Sequence, residues 1–185
     1  MMLKKYINAS NCITFVRIIG SVVLIFLTSF SPEFYIIYSV CGLSDAVDGY
    51  IARRNNTTSE FGARLDSVAD IFFYAVMIIK IFPKLIKILP SYVWYVLGAA
   101  IFTRLISYIV AALKYKTFAS QHTYLNKLTG LCVFIAPYIV VFSFGKYVCI
   151  GITVIGLIAS IEELLIHLTQ KEYFPDQKSI LKLNK

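Results

Sequence analysis

Acidic residues are scarce in this 185-residue chain: 10 Asp and Glu stand against 18 Lys and Arg, for a net charge of +8. Charged residues of both signs reach only 15%, where soluble proteins carry roughly 25%. Apolar residues make up 58% and mean hydropathy is +0.74. A body this small cannot hide so much apolar surface, so lipid must cover the rest. A basic excess in a soluble chain would raise nucleic-acid binding. Here the basic residues fall between apolar runs, which points to membrane orientation and anionic lipid headgroups, with no nucleic-acid partner. Histidine is limited to 2 residues, and His122, with no companion histidine nearby, reads as a loop residue rather than a metal ligand. The four cysteines (Cys12, Cys41, Cys132 and Cys149) stand singly without metal-type spacing and are expected to act as small buried hydrophobes. No internal repeat or low-complexity segment is present. Lys4 and Lys5 ahead of an apolar run imitate a signal peptide, but Arg17 interrupts the run and no small-x-small pattern closes it near Ser29–Pro32. The expectation is a retained first helix.

What the chain does have is a series of long apolar runs. Given the ~20 residues a spanning helix needs, six fit: roughly 11–30, 34–54, 61–82, 91–113, 127–144 and 147–168. Pro32, Pro83 and Pro90 fall in the connections, as helix-ending residues should. The fold class is therefore all-α: a polytopic membrane protein with six transmembrane helices over 1–170. Residues 1–10 suit a short interfacial helix, and 171–185 a solvated cytoplasmic tail. Lys4, Lys5, Arg53, Arg54, Lys114, Lys116, Lys127 and the lysines of the tail place both termini in the cytoplasm. The cluster Lys80, Lys84 and Lys87 runs against that orientation.

Four aspartates lie in one stretch. It reads Asp45-Ala-Val-Asp48-Gly49-Tyr-Ile-Ala52-Arg53, eight further residues, then Gly62-Ala-Arg-Leu-Asp66-Ser-Val-Ala-Asp70. Asp45 and Asp48 share one helix face, as do Asp66 and Asp70. The polar segment between them can fold the two helices into a hairpin and join the pairs. Ionised carboxylates at the centre of a bilayer cost about 2.5–3.5 kcal/mol each on insertion scales, and four together repel one another. Arg53 and Arg64 cannot neutralise four. Divalent cations can, and all-oxygen ligands suit Mg²⁺ or Mn²⁺; a two-metal site is expected. Gly49 and Ala52 lie on the stripe that carries Asp45, leaving either a groove for a ligand or a seat for a neighbouring helix.

This stretch resembles, at every fixed position, the signature of the CDP-alcohol phosphatidyltransferase family, D-x₂-D-G-x₂-A-R-x₈-G-x₃-D-x₃-D. A chance match of eight fixed positions at a given start is on the order of 10⁻⁹ at average residue usage. The resemblance implies a membrane enzyme of phospholipid synthesis that moves a phosphatidyl group from CDP-diacylglycerol to a small polar alcohol and releases CMP. It further implies that Asp45, Asp48, Asp66 and Asp70 are metal ligands, with Asp66 bridging two ions, and that Asp70 is the general base. Gly49, Ala52 and Gly62 then admit the CDP group and Arg53 contacts its phosphate. Asn11-x₂-Thr14-x₂-Arg17 resembles a polar pattern at the start of the family's first helix, which adds Asn11 and Thr14 to the CDP site. A homodimer embedded among membrane lipids is expected by the same resemblance.

Arg104 within the fourth span and Lys127 at the start of the fifth are candidate acceptor-binding residues, since an intramembrane cation is functional by default. Glu162 and Glu163 read as interfacial residues. Glycerol 3-phosphate, inositol phosphate and serine all remain open as acceptors, although Leu65-Asp66-Ser67-Val68-Ala69-Asp70 looks closer to serine-using members. A cation transporter or channel would also explain intramembrane carboxylates, but it does not require Gly49, Ala52, Arg53 and Gly62 at these spacings.

Overall fold

The computed structural model describes residues 9–54, 60–116, 121, 123–174 and 177–182, and the side chains of these residues except 9–11, 45–54, 60, 61, 63 and 182. Among the described residues six helices follow the six apolar runs: α1 (Ala9–Phe26), α2 (Pro32–Arg54), α3 (Glu60–Ile88), α4 (Ser91–Tyr115), α5 (Tyr124–Ile139) and α6 (Gly145–Thr169). A 3-10 turn follows at Ile180–Lys182. No strand occurs among the described residues. The interfacial helix expected over 1–10 lies outside the described residues apart from Ala9 and Ser10, which are helical. By length and composition α4 and α6 can each cross a membrane. At 1.5 Å per residue the 16-residue α5 is about 24 Å long, short of the ~30 Å hydrocarbon layer.

Two helix ends differ from the sequence expectation. Pro83 does not stop α3 but sits inside it, and the helix runs on to Ile88. Proline inside a membrane-type helix is tolerated when neighbours compensate the lost hydrogen bond. α5 likewise contains Pro137 and ends at Ile139, five residues sooner than its apolar run, because Phe142 N and Gly145 N bond back to Ile139 O and Phe142 O in a tight turn. A Cβ at Gly145 would strike the backbone of Ile139 and Val140, so only glycine fits there.

The chain forms two compact units, residues 1–86 and 87–185. In the first, α1 packs on α2 where Gly20 meets Cys41; a Cβ at Gly20 would collide with the sulfur. Below that contact Leu24 is buried, and Phe34, Tyr38 and Phe73 form a stack, with centroids 6.1 Å and 5.7 Å apart. In the second unit α6 packs on both α4 and α5. Its seam is built from small residues: Ala100, Ser107 and Ala111 on α4, Ala159 and Ser160 on α6 are all buried. Small side chains let helix backbones approach, the usual route to association where lipid removes the hydrophobic drive.

The tail departs from the solvated extension expected of it. Ser179 Oγ donates to Glu162 Oε1 at 2.8 Å, Gln170 Nε2 to Gln177 Oε1 at 3.0 Å, and Tyr124 N to Lys178 O at 3.0 Å. Gln177 is buried. These bonds tie the tail to α6 and to the start of α5, satisfying polar groups that an apolar-sequence reading assigns to water. The cysteine expectation holds for Cys41 and Cys149, which are buried, while Cys12 is exposed and Cys132 half-buried.

Candidate active site

α2 and α3 are consecutive helices, and residues 55–59 between them lie outside the described residues. Asp48 stands six residues before the end of α2 at Arg54, and Asp66 six after the start of α3 at Glu60. Asp48 and Asp66 are thus each about 9 Å along their own helix from the end beside 55–59. The side chains of Asp45, Asp48, Gly49, Ala52 and Arg53 lie outside the described residues, as does that of Asn11. Gly62, in the first turn of α3, is half-buried.

Asp66 and Asp70 are one helical turn apart and converge on a single cation. Arg17 Nη1 donates to Asp66 Oδ1 at 2.9 Å and also to Asp70 Oδ1. The Arg17 side chain is 0% exposed, whereas those of Asp66 and Asp70 keep 39% and 33%. A guanidinium with no access to water must hydrogen-bond to protein. Its Nε accordingly donates to Ser44 Oγ at 3.2 Å. Ser44 directly precedes Asp45, so Arg17 joins α1 to the aspartate-bearing turns of both α2 and α3. Its backbone is held too: Ser21 Oγ donates to Arg17 O at 2.8 Å, and Cys41 Sγ lies 3.8 Å from the same oxygen. Thr14, one turn earlier on α1, is buried.

The sequence shows Arg17 within a polar pattern but marks no role for it, and offers Arg53 and Arg64 as the positive charge near the aspartates. The available signal was spacing: Thr14, Arg17 and Ser21 recur at helical intervals within an apolar run, which marks one polar stripe. What the stripe faces cannot be read from the run itself.

A second buried polar cluster lies in the other unit. Arg104 Nη1 pairs with Glu163 Oε2 at 2.5 Å, its Nη2 donates to Asn126 Oδ1 at 2.9 Å, and its Nε to Ser160 Oγ at 3.3 Å. Glu163 also accepts from Asn126 Nδ2 at 2.9 Å and from the Gln121 backbone N–H at 3.2 Å. Both Glu162 and Glu163 are buried. Glu163 links α6 to α4, α5 and the segment before α5. Lys127, the neighbour of Asn126, is exposed. His122 lies outside the described residues.

Comparison with known proteins gives these clusters a context. The family model described as CDP-alcohol phosphatidyltransferase matches residues 7–162, which takes in α1 through most of α6. A CDP-diacylglycerol–serine O-phosphatidyltransferase of Methanocaldococcus jannaschii is 38% identical over 74 residues, covering 40% of this chain and 34% of that protein. A CDP-diacylglycerol–glycerol-3-phosphate 3-phosphatidyltransferase of Wigglesworthia glossinidia brevipalpis is 36% identical over 93 residues, covering 46% and 51%. A CDP-diacylglycerol–inositol 3-phosphatidyltransferase 1 of Arabidopsis thaliana is 40% identical over 70 residues, covering 37% and 30%. The chain thus spans from about a third to a half of the length of these relatives. No solved structure matches it.

Proposed function

Because the chain belongs to the CDP-alcohol phosphatidyltransferase family, we propose that it transfers a phosphatidyl group from CDP-diacylglycerol to a small polar alcohol, releasing CMP. The supporting observation is the convergence of Asp66 and Asp70 on Arg17 Nη1, inside the stretch that spells the family signature. Asp70 accepts the proton of the acceptor hydroxyl; the freed oxygen forms a bond to the phosphatidyl phosphorus, and the bond from that phosphorus to CMP breaks with its electron pair. Asp66, one turn away, keeps the site acidic. Arg17 supplies one positive charge to the pair, which lowers the cost of carrying carboxylates in the membrane and fixes their rotamers.

One guanidinium offsets one of the two carboxylates, and Asp45 and Asp48 would add two more. The donor set is made of carboxylate oxygens, which suit a hard divalent cation. Asp45, Asp48, Asp66 and Asp70 would hold Mg²⁺ or Mn²⁺, two ions by our reading. When bound, the metal supplies charge neutralisation for the diphosphate and the leaving group. Gly49, Ala52 and Gly62 give the CDP group room, Arg53 contacts its phosphate, and Asn11 and Thr14 border it.

Arg104 and Lys127 are the proposed acceptor residues, with different parts. The three donor nitrogens of Arg104 are engaged with Glu163, Asn126 and Ser160, so it sets Asn126 and the start of α5. Lys127, exposed beside Asn126, then offers a mobile point charge to a phosphate or carboxylate. The relatives' names give serine, glycerol 3-phosphate and inositol as acceptors; this chain's acceptor belongs to that class. The six helices form one membrane domain in the cytoplasmic membrane, with both termini and the aspartates on the cytoplasmic side and a homodimer as the working unit. CMP release by the purified protein, tried with CDP-diacylglycerol and a panel of these alcohols, tests the function. Ion flux into liposomes without CMP release would favour a transporter instead.

A further inference from the structure

The end of the first unit remote from the aspartates holds a cavity of about 550 Å³, within the range of small-ligand sites. Its walls include Ile25 of α1, Phe30 of the α1–α2 turn, and Phe72 and Val76 of α3. Two cations line it as well, Lys80 and Lys84, one helical turn apart and so on one face of α3. Lys80 is fixed in place: its Nζ donates to Leu27 O at 2.7 Å, at the end of α1. That bond uses one of three ammonium N–H groups. Among the described residues no carboxylate pairs with either lysine, and the sequence holds no acidic residue from 71 to 161. Phe30 adopts φ 68, a left-handed conformation that is costly for a bulky residue and persists where the surroundings demand it.

We propose that this cavity binds an anionic phospholipid, one acyl chain against Ile25, Phe72 and Val76 and the phosphate between Lys80 and Lys84. Charge complementarity names the occupant: an apolar cavity with paired ammonium groups matches an acyl chain joined to a phosphodiester. Position names the leaflet. Lys80 lies 14 residues along α3 from Asp66, about 21 Å, which puts the lysines toward the opposite face of the membrane. The site also accounts for the charge anomaly in the sequence. Lysines on the outer side violate the usual bias, and an anionic lipid headgroup is a reason for them to be there. The inference rests on the membrane reading of the chain but not on its catalytic activity.

Native mass spectrometry of the full chain tests it, after the detergent-solubilised protein is incubated with either dioleoylphosphatidylglycerol or dioleoylphosphatidylcholine. The expected result is preferential retention of the anionic lipid, one molecule per chain. Lys84→Gln should lower that retention roughly fivefold, the effect of one lysine near an anionic headgroup. Ala75→Phe, which fills the cavity without changing charge, should lower it as well. Both variants should release CMP as the unaltered protein does, whereas an unaltered protein that retains the anionic lipid but releases no CMP would count against the proposed reaction and not against this site. Equal retention of both lipids, retention unaffected by both variants, or a second copy of the chain excluding lipid from the cavity would overturn the proposal.

Discussion

Arg17 donates to the carboxylate of Asp66 at 2.9 Å across 49 positions of sequence. The same nitrogen serves Asp70, so one residue of α1 governs the charge and the geometry of the α3 carboxylates. Replacing Arg17 with Met should therefore cost both stability and turnover. Leaving buried charges unpaired costs about 3–5 kcal/mol, and this case should fall below that ceiling because both aspartates keep roughly a third of their exposure. Arg17→Lys should restore only part of the loss, since an ammonium lacks the fork that reaches Ser44 and the aspartates together. Thermal unfolding in detergent and CMP release, measured on both variants, check the ordering.

Removing divalent metal should abolish CMP release, and added Mg²⁺ or Mn²⁺ should restore it. Asp66→Asn should weaken metal binding as well as turnover, because it removes one of the oxygen anions that suit a hard cation. Titration of Mn²⁺, followed by its paramagnetic signal, measures the binding without needing turnover. Unchanged Mn²⁺ affinity in Asp66→Asn would contradict the ligand assignment.

Glu163→Gln should destabilise the second unit. The amide cannot accept at both oxygens, yet Glu163 accepts from Arg104, Asn126 and Gln121. Losing one partner of a buried charged bond costs about 2–4 kcal/mol. Arg104→Met alone should cost a similar amount, and the double variant less than the sum, which a double-mutant cycle reads directly.

Lys127→Ala should raise the acceptor KM while leaving the donor KM near its starting value. A phosphorylated acceptor should suffer more than serine, because it presents more negative charge to the missing ammonium. A shift in donor KM alone would move Lys127 to the diphosphate site.

The helices were legible because apolar runs and proline punctuation are local signals. Their ends were less so: Pro83 is carried inside α3 and α5 stops at Ile139, since neighbours and turn hydrogen bonds decide what a proline or an apolar run does there. The pairing of Asp66 with Asp70 was legible from i,i+4 spacing. Arg17 was not, because helical spacing reports neighbours on one helix and says nothing about the helix opposite. The partners of Glu163 were hidden for the same reason, since Arg104 and Asn126 come from two other helices. The side chains of Asp45 and Asp48 are known through the motif alone.

The central claim is that the α3 carboxylates carry the chemistry, and Asp70→Asn tests it most directly. The measurement is acceptor-dependent CMP release by the purified variant with Mg²⁺ present, alongside its binding of CDP-diacylglycerol. The amide keeps the shape of the side chain but cannot accept the hydroxyl proton as a base. The account predicts that donor binding persists and CMP release falls to background. Release of CMP by Asp70→Asn at the rate of the unaltered protein would contradict it.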